Sequence, residues 1–455
     1  MNENKLTLNQ EVLITIKRLG INGEGIGYYK RLAIFVDGAI PGEEIEVVIT
    51  DVQEGYSKAR IKKIKKASPN RIKPDCPYFD RCGGCQIQHI NYETQLKEKH
   101  DMIYRAFERY YEGDMPKAEL RDTIGMEEPW FYRNKNQLPV RYDGNQLVTG
   151  LYAKESNSLV YIDHCIVESK LIAKVTKEIK AYLTKHEVIA YNPKINDGVL
   201  RHLVVRGSET TNEVQVTLVL FKEDQRTIKI ASSLINITPI VSVNYSINKD
   251  PKAIEIFGET TINIAGKPSI DETLGDITFS LLPTSFFQLN TIQATKLYNE
   301  VKKAANLTGK ENVVDGFCGV GAIGLWLSSK AKEVRGIDFN KDAITSAKET
   351  ALKNNITNVH FYSGNLYPHL DRFLKEGFKP DVFIVNPPRS GLDLKLIHYL
   401  QDHPVKKLVY VSCNPSTLAK NVSHLQSKYR VRYIQPIDMF PQTSNVEAVC
   451  LLERI

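Results

Sequence analysis

The sequence predicts an α/β fold: a Rossmann-like, doubly wound C-terminal domain preceded by an OB-like β-barrel and a central β-rich domain. Three observations predict it. The last third alternates apolar strand runs with helical ones, which is the pattern of a mostly parallel sheet. From Glu11 to Lys66, short alternating runs (VLITI, LAIFV, IEVVI) are separated by Asn22-Gly23, Asp37-Gly38 and Pro41-Gly42, all turn chemistries. Between these regions, VLRHLVVRG and EVQVTLVLF read as a hairpin across Ser208-Glu209-Thr210-Thr211-Asn212, and PIVSVNYSI and ETTINIAG add strands. A chain of 455 residues suits roughly two to four such units. The boundaries expected are 8–68 for the barrel and 74–94 with 126–278 for the central domain. A helical stretch at 95–125, whose start is visible from about Tyr92 to Arg109, joins 279–455 in the last.

Glycine-rich five-strand barrels commonly hold single-stranded or looped nucleic acid. Tyr28, Tyr29 and Tyr56 are available either for base stacking or for packing inside the barrel. Net charge is +7, and Lys58, Arg60, Lys62, Lys63, Lys65, Lys66, Arg71 and Lys73 follow one another without an acidic residue. A polyanion is the expected partner, with an ordinary solvated basic face as the alternative. Seven cysteines, no apolar N-terminal leader and no membrane-length apolar run point to a reducing, cytoplasmic setting.

Ahead of the central strands lies Cys76-x5-Cys82-Gly83-Gly84-Cys85, and Cys165 in Asp163-His164-Cys165 supplies a fourth sulfur. Gly83 and Gly84 would let backbone amides approach bridging sulfides, which suits an iron–sulfur cluster. Zinc is satisfied by the same ligand count, and ordinary free thiols remain open.

In the C-terminal part, strand NVVD runs into Asp315-Gly316-Phe317-Cys318-Gly319-Val320-Gly321-Ala322-Ile323-Gly324. Its G-x-G-x-x-G lets backbone approach a ligand at a helix N-terminus. Asp338 closes the next strand, VRGID, where a carboxylate can accept both ribose hydroxyls of an adenosine; an NAD domain would do the same. DVFIV ends in Asn386-Pro387-Pro388-Arg389, as in methyltransferases acting on planar nitrogenous rings, or simply as a proline turn. KLVYV delivers Cys413 into Asn414-Pro415-Ser416-Thr417, a helix start whose amide dipoles favour the nucleophilic thiolate. A small buried cysteine closing a strand is the plainer alternative.

Taken together, CPYFDRCGGCQIQH, FYRNKNQ, SFFQLN, DGFCGVGAIGL, NPPRSGL, SCNPSTLAKN and QTSNVEAV resemble the RNA uracil-5 methyltransferases. The group in question carries an N-terminal TRAM barrel, modifies 23S ribosomal RNA and is similar to the tRNA uracil-5 enzymes. The likeness covers nearly the whole chain. It implies a Rossmann-like S-adenosylmethionine (SAM) methyltransferase domain in which Gln288, Phe317, Gly319, Gly321, Asp338 and Asn386 hold the cofactor. It further implies Cys413 as nucleophile, Glu447 as general base, and a [4Fe–4S] cluster on Cys76, Cys82, Cys85 and Cys165. Several positions depart from the family pattern. Asn386 stands for a usual aspartate, Asp338 for glutamate, Phe317 for tyrosine, Asn365 for an acidic residue and Asn445 for histidine.

Uracil C5 is a poor nucleophile, which is why such chemistry needs a thiolate adding at C6 and then a base removing the C5 proton. The target base must leave its stack, at least cost in a loop or bulge. Arg133, Lys135 and Arg389 are candidates to meet phosphate or the flipped base. The resulting expectation is a SAM-dependent 23S rRNA uracil-C5 methyltransferase, monomeric and not membrane-bound. The alternatives are a non-catalytic RNA-binding or ribosome-assembly factor, a tRNA enzyme of the same chemistry, and an NAD enzyme.

Overall fold

The structure, a computed structural model, describes residues 6–112 and 119–455. The chain opens with β1 (Glu11–Leu19), β2 (Gly25–Tyr29), β3 (Leu32–Val36), β4 (Glu44–Gln53) and β5 (Tyr56–Lys66). They close into a barrel in the order β1-β2-β3-β5-β4, with β3 and β5 parallel. Alternation decides which face goes inward: Val12, Ile14 and Ile16 are buried while Glu11 and Leu13 face out. Gly23, Gly38 and Gly42 turn the chain at φ of 90°, 73° and 86°, a region where a side chain is strained. The basic stretch is less bare than its sequence suggests. Closure brings Glu46 against Lys62 and Lys65 at 3.2 and 2.8 Å, and Glu43 against Arg71 at 2.6 Å.

Helix α1 (Tyr92–Tyr110) follows, capped by Asn91, whose side chain accepts from the Thr94 amide. It is shorter than the stretch expected to be helical. Tyr111 is already extended, and Leu120 and Ile124 form parallel bridges to Ile434 and Ile437; residues 113–118 lie outside the described residues.

The central domain comprises β6 (Lys135–Asp143), β7 (Gln146–Tyr152), β8 (Leu159–Tyr161), α2 (Lys170–Lys185), β9 (Leu200–Ser208), β10 (Glu213–Leu220), α3 (Gln225–Ser232), β11 (Ile240–Ile247) and β12 (Thr261–Gly266). Its seven strands order as β12-β11-β10-β9-β6-β7-β8, and Ile172, Val175, Ile179 and Leu183 of α2 seal one face. The hairpin β13 (Ile270–Leu274) and β14 (Ile277–Leu281) leads onward.

The last unit runs α4 (Thr291–Ala305), β15 (Asn312–Gly316), α5 (Ala322–Leu327), β16 (Glu333–Asp338), α6 (Lys341–Lys353), β17 (Val359–Ser363) and α7 (Leu366–Lys375). It continues with β18 (Val382–Val385), α8 (Leu394–Asp402), β19 (Lys407–Ser412), α9 (Pro415–Leu425), β20 (Tyr429–Ile437) and β21 (Glu447–Arg454). The sheet order is β17-β16-β15-β18-β19-β21-β20, and β21 runs antiparallel to both neighbours. Helices cover both faces, α4, α5 and α6 on one and α1, α7, α8 and α9 on the other, as the α/β reading expects. Among the described residues, no helix is long and apolar enough to cross a membrane.

Candidate active site

Strands β15, β16, β18 and β19 all end on the same edge, and that edge gathers the residues singled out from sequence. Beyond β15, Phe317 and Gly319 adopt φ of 62° and 55°, turning the chain sharply before α5. A Cβ built on Gly319 would meet nothing within 4 Å, so the backbone there is open to a ligand. Gly321 serves packing instead: a Cβ would fall 2.3 Å from the Phe361 ring. Asp338 accepts from the Gly319 amide on one oxygen and from the Asn340 amide on the other, each at 2.8 Å. Each oxygen keeps a lone pair, which matches a vicinal diol. Gln288 is buried and its Oε1 has no hydrogen-bond partner, an acceptor made for something absent from the polypeptide. The donor set therefore fits an adenosine-bearing cofactor.

Two further groups at this edge escaped sequence reasoning. Phe339, directly after Asp338, is 83 % exposed despite its large apolar ring, a signal visible only once the strand end is located. Asp315 is fully buried, accepts from the Gly324 amide at 2.9 Å, and is pushed up to about 7 by burial and then by Asp338. It clamps the glycine loop to its own helix. Asn386 is half-buried at the end of β18, its amide donating to Gly316 O. Asn365 caps α7, its side chain accepting from the Tyr367 amide at 3.1 Å.

Cys413 sits half-buried between β19 and α9, whose cap Asn414 accepts from the Ser416 and Thr417 amides. Glu447 opens β21, and Arg389 leaves the Pro-Pro turn; both come close enough to act on the thiol electrostatically. The expected lowering of the thiol pKa is not what results. Burial and the Glu447 carboxylate push it up, more than Arg389, which hydrogen-bonds the sulfur, pulls it down. Burial alone pushes Glu447 up to about 7. Arg389 also donates to Asn445 Oδ1 at 2.9 Å, so Asn445 holds the arginine beside the cysteine.

Of the three cations considered for the substrate, only Arg389 stands here. Arg133 turns into the cavity of the four cysteines, its Nε donating to Lys135 O. Lys135 is pressed beside Arg206 and Arg133, and burial first, then these cations, push it down to about 6.

Cys76, Cys82, Cys85 and Cys165 line one cavity of about 70 Å³, all as free thiols. Gly83 lies against β7, donating to Tyr152 O at 3.0 Å, and the Gly84 amide donates to Cys82 Sγ at 3.3 Å. Burial pushes three of these thiols up: Cys82, Cys85 to about 11 and Cys165 to about 12. Among the described residues, no three His, Cys, Asp or Glu side chains converge to hold a metal ion.

A cleft of about 1440 Å³ joins the units. Barrel residues Tyr56, Lys58 and Arg60 form one wall, the segments at Gly83–Gly84 and Tyr152–Glu155 another, and Arg389, Cys413 and Asn445 the floor.

A doubly wound sheet with a glycine loop, a strand-end carboxylate and an adjoining thiol defines an α/β enzyme of the group-transfer kind, built around an adenosine-bearing cofactor. Residues 91–455 match the tRNA (Uracil-5-)-methyltransferase family and residues 5–62 the TRAM domain. The chain is 45 % identical over 452 residues to an uncharacterized RNA methyltransferase of Bacillus anthracis, covering 99 % of this chain and 98 % of the relative. A relative from Listeria monocytogenes, also described as an uncharacterized RNA methyltransferase, is 45 % identical over 459 residues, covering 100 % and 99 %. Among solved structures, the Pyrococcus abyssi tRNA (uracil-54, C5)-methyltransferase in complex with S-adenosyl-L-homocysteine superposes with a TM-score of 0.75 at 29 % identity, covering 96 % and 98 %. The chain belongs to the tRNA (uracil-5-)-methyltransferase family and is a SAM-dependent RNA methyltransferase carrying a TRAM domain.

Proposed function

We propose that this enzyme methylates C5 of a uridine in 23S ribosomal RNA, with Cys413 as nucleophile and Glu447 as base. The observation that carries the reading is Cys413 and Arg389 on the floor of a cleft walled by basic barrel residues, with Glu447 buried behind them and close enough to act on the thiol. SAM would be held by Gln288, the Phe317–Gly319 backbone and Asp338, with Asn386 alongside and the exposed Phe339 ring available next to Asp338, and would supply its sulfonium methyl for C5, leaving as S-adenosylhomocysteine. Arg389 stabilises the Cys413 thiolate, which adds through Sγ to C6 and pushes the ring electron pair toward C5. After methylation Glu447 removes the C5 proton; the pair re-forms the C5–C6 double bond and expels Cys413 Sγ. A carboxyl near pH 7 suits that proton transfer. Cys76, Cys82, Cys85 and Cys165 would hold a [4Fe–4S] cluster. Four free thiols lining one cavity, with an amide already on Cys82 Sγ, support that reading. The setting is taken as cytoplasmic and the enzyme as a monomer.

A tRNA substrate is the second reading, favoured by the match to the Pyrococcus abyssi tRNA enzyme over 96 % of this chain and 98 % of that one. The two are separated by incubating the protein with SAM and 5-fluorouridine-containing 23S fragments or tRNA. Fluorine cannot leave as a proton, so a covalent adduct accumulates on the true substrate. Adduct on 23S RNA alone is the expected result, adduct on tRNA alone replaces it with the second reading, and adduct on neither overturns the covalent mechanism.

A further inference from the structure

The sequence places the four cysteines far from the catalytic carboxylate, yet one side chain bridges them. Gln86 follows Cys85 directly. Its Nε2 donates to Gly83 O at 2.9 Å, inside the Cys82-Gly83-Gly84-Cys85 loop, and its Oε1 accepts from the Ser444 amide at 3.4 Å. Ser444 lies three residues before Glu447 and next to Asn445, the residue that holds Arg389. The backbone doubles the link, since the amides of Gln86 and Ile87 both donate to Gln442 O at 3.1 Å.

The far side of this junction is anchored firmly. Gln442 is held at φ of 72°, a left-handed conformation that a non-glycine residue seldom adopts unless its surroundings fix it. Buried Gln95 of α1 fixes it there: its Oε1 accepts from the Gln442 amide at 3.1 Å and its Nε2 donates to Gln442 Oε1 at 2.9 Å. The same Nε2 reaches Ile87 O and Ile90 O, so one carboxamide grips both strands of the junction. A few residues upstream, Asp438 is locked by Lys99 and by Tyr92, all on or against α1. The barrel closes the third side: a Cβ on Gly23 would fall 2.8 Å from Gln86 Cβ and 3.4 Å from Ser444 Cβ. Gln86 itself lines the cleft.

We propose that Gln86 is a positioning residue that couples the Cys82–Cys85 loop to the Gln442–Asn445 segment, so that the state of the four-cysteine site sets where Arg389 and Glu447 stand. A change in the cysteine loop moves Gly83 O, Gln86 transmits it to the Ser444 amide, and Asn445 carries it to Arg389. The barrel turn at Gly23 senses the same contact from the RNA side. The inference rests on the roles proposed above for Glu447 and Arg389.

The test uses anaerobically purified full-length enzyme, wild type and Gln86→Met, each before and after iron removal by chelation. Gln86→Met keeps the chain length and apolar stem but loses both hydrogen bonds. Hydrogen exchange at the Ser444 and Asn445 amides is expected to speed up about tenfold in Gln86→Met. In the same variant kcat falls about tenfold while KM for RNA moves less than twofold, the mark of misplaced catalytic groups in place of weakened binding. Chelation of wild type is expected to loosen the same two amides, and chelation of Gln86→Met to add little, because the connection is already cut. Additive effects of chelation and substitution, wild-type amides unmoved by chelation, or unchanged exchange and kcat in Gln86→Met overturn the proposal. Glu447→Gln keeps the two failures apart: if it leaves turnover intact, the base assignment is wrong, whereas its loss alongside an indifferent Gln86→Met sinks only the coupling.

Discussion

Two sulfur sites of one chain stand within a short walk of each other and are built oppositely. Cys413 lies half-buried on the floor of an open cleft, with one cation on its sulfur and one carboxyl beside it. Cys76, Cys82, Cys85 and Cys165 surround a small cavity whose walls push their thiols far above the ordinary range at Cys85 and Cys165. The difference teaches that access and neighbouring charge decide what a thiol does. A sulfur reached by substrate and by Arg389 can be spent as a nucleophile and recovered. Sulfurs desolvated as those of Cys85 and Cys165 are stay costly to ionise unless a cationic group shares them.

The sharpest way to break this comparison is to remove the accessible sulfur. Cys413→Ala is expected to lower methyl transfer by at least about 10⁴-fold and abolish the 5-fluorouridine adduct, with RNA affinity and iron content unchanged. Substantial turnover in this variant, read by tritium transfer from labelled SAM, would return Cys413 to the status of a strand-closing residue.

The enclosed site predicts the reverse pattern. Cys85→Ser is expected to lose the iron and sulfide bound per chain and to destabilise the fold on the order of 3 kcal/mol, seen as a drop in Tm. Cys413→Ser should keep both. Full iron content in Cys85→Ser would dissolve the distinction between the two sites.

How much of this contrast could be read from sequence depends on distance along the chain. The barrel turns at Gly23, Gly38 and Gly42 and the strand-end positions of Asp338, Asn386 and Cys413 were legible, because each is a local matter of turn chemistry or of an apolar run ending. The contacts joining Tyr92 and Lys99 to Asp438 or Gln95 to Gln442 were not, since more than three hundred residues separate each pair and periodicity carries no such information. The direction of the Cys413 shift was misjudged for a related reason. Helix-start dipoles are visible in sequence, but the burial and the Glu447 carboxylate that outweigh them arrive only with β21. The bare basic run misled in the same way until closure of the barrel set Glu46 and Glu43 against it.

Glu447 sharpens the comparison through pH. Its carboxyl is raised from 4.5 to about 7 by burial, so the folded chain binds its proton more tightly than the unfolded chain. The contribution of Glu447 to stability is therefore fullest below about pH 4.5, falls as pH rises toward 7, and is flat above. Glu447→Gln removes that loss. It should be more stable than wild type at pH 8 by up to about 3 kcal/mol, with the gap closing toward pH 4.5, while trapping RNA as a methylated adduct because the C5 proton stays. Equal denaturant midpoints at pH 8 would mean that Glu447 is not held in a desolvated place.

The smallest effect concerns the wall opposite Cys413. Lys58 and Arg60 face the cleft, whereas Lys62 and Lys65 are drawn to Glu46 on the outside of the barrel. Neutralising a phosphate-contacting cation lowers affinity by the release of roughly one counterion, so Arg60→Gln should weaken RNA binding by about 1 kcal/mol and reduce the salt slope by about one. Lys65→Gln should change neither, its charge being already compensated by a carboxylate. If the two variants weaken binding alike, the barrel acts as a diffuse basic surface, and the cleft wall has no privileged role in leading RNA to the exposed sulfur.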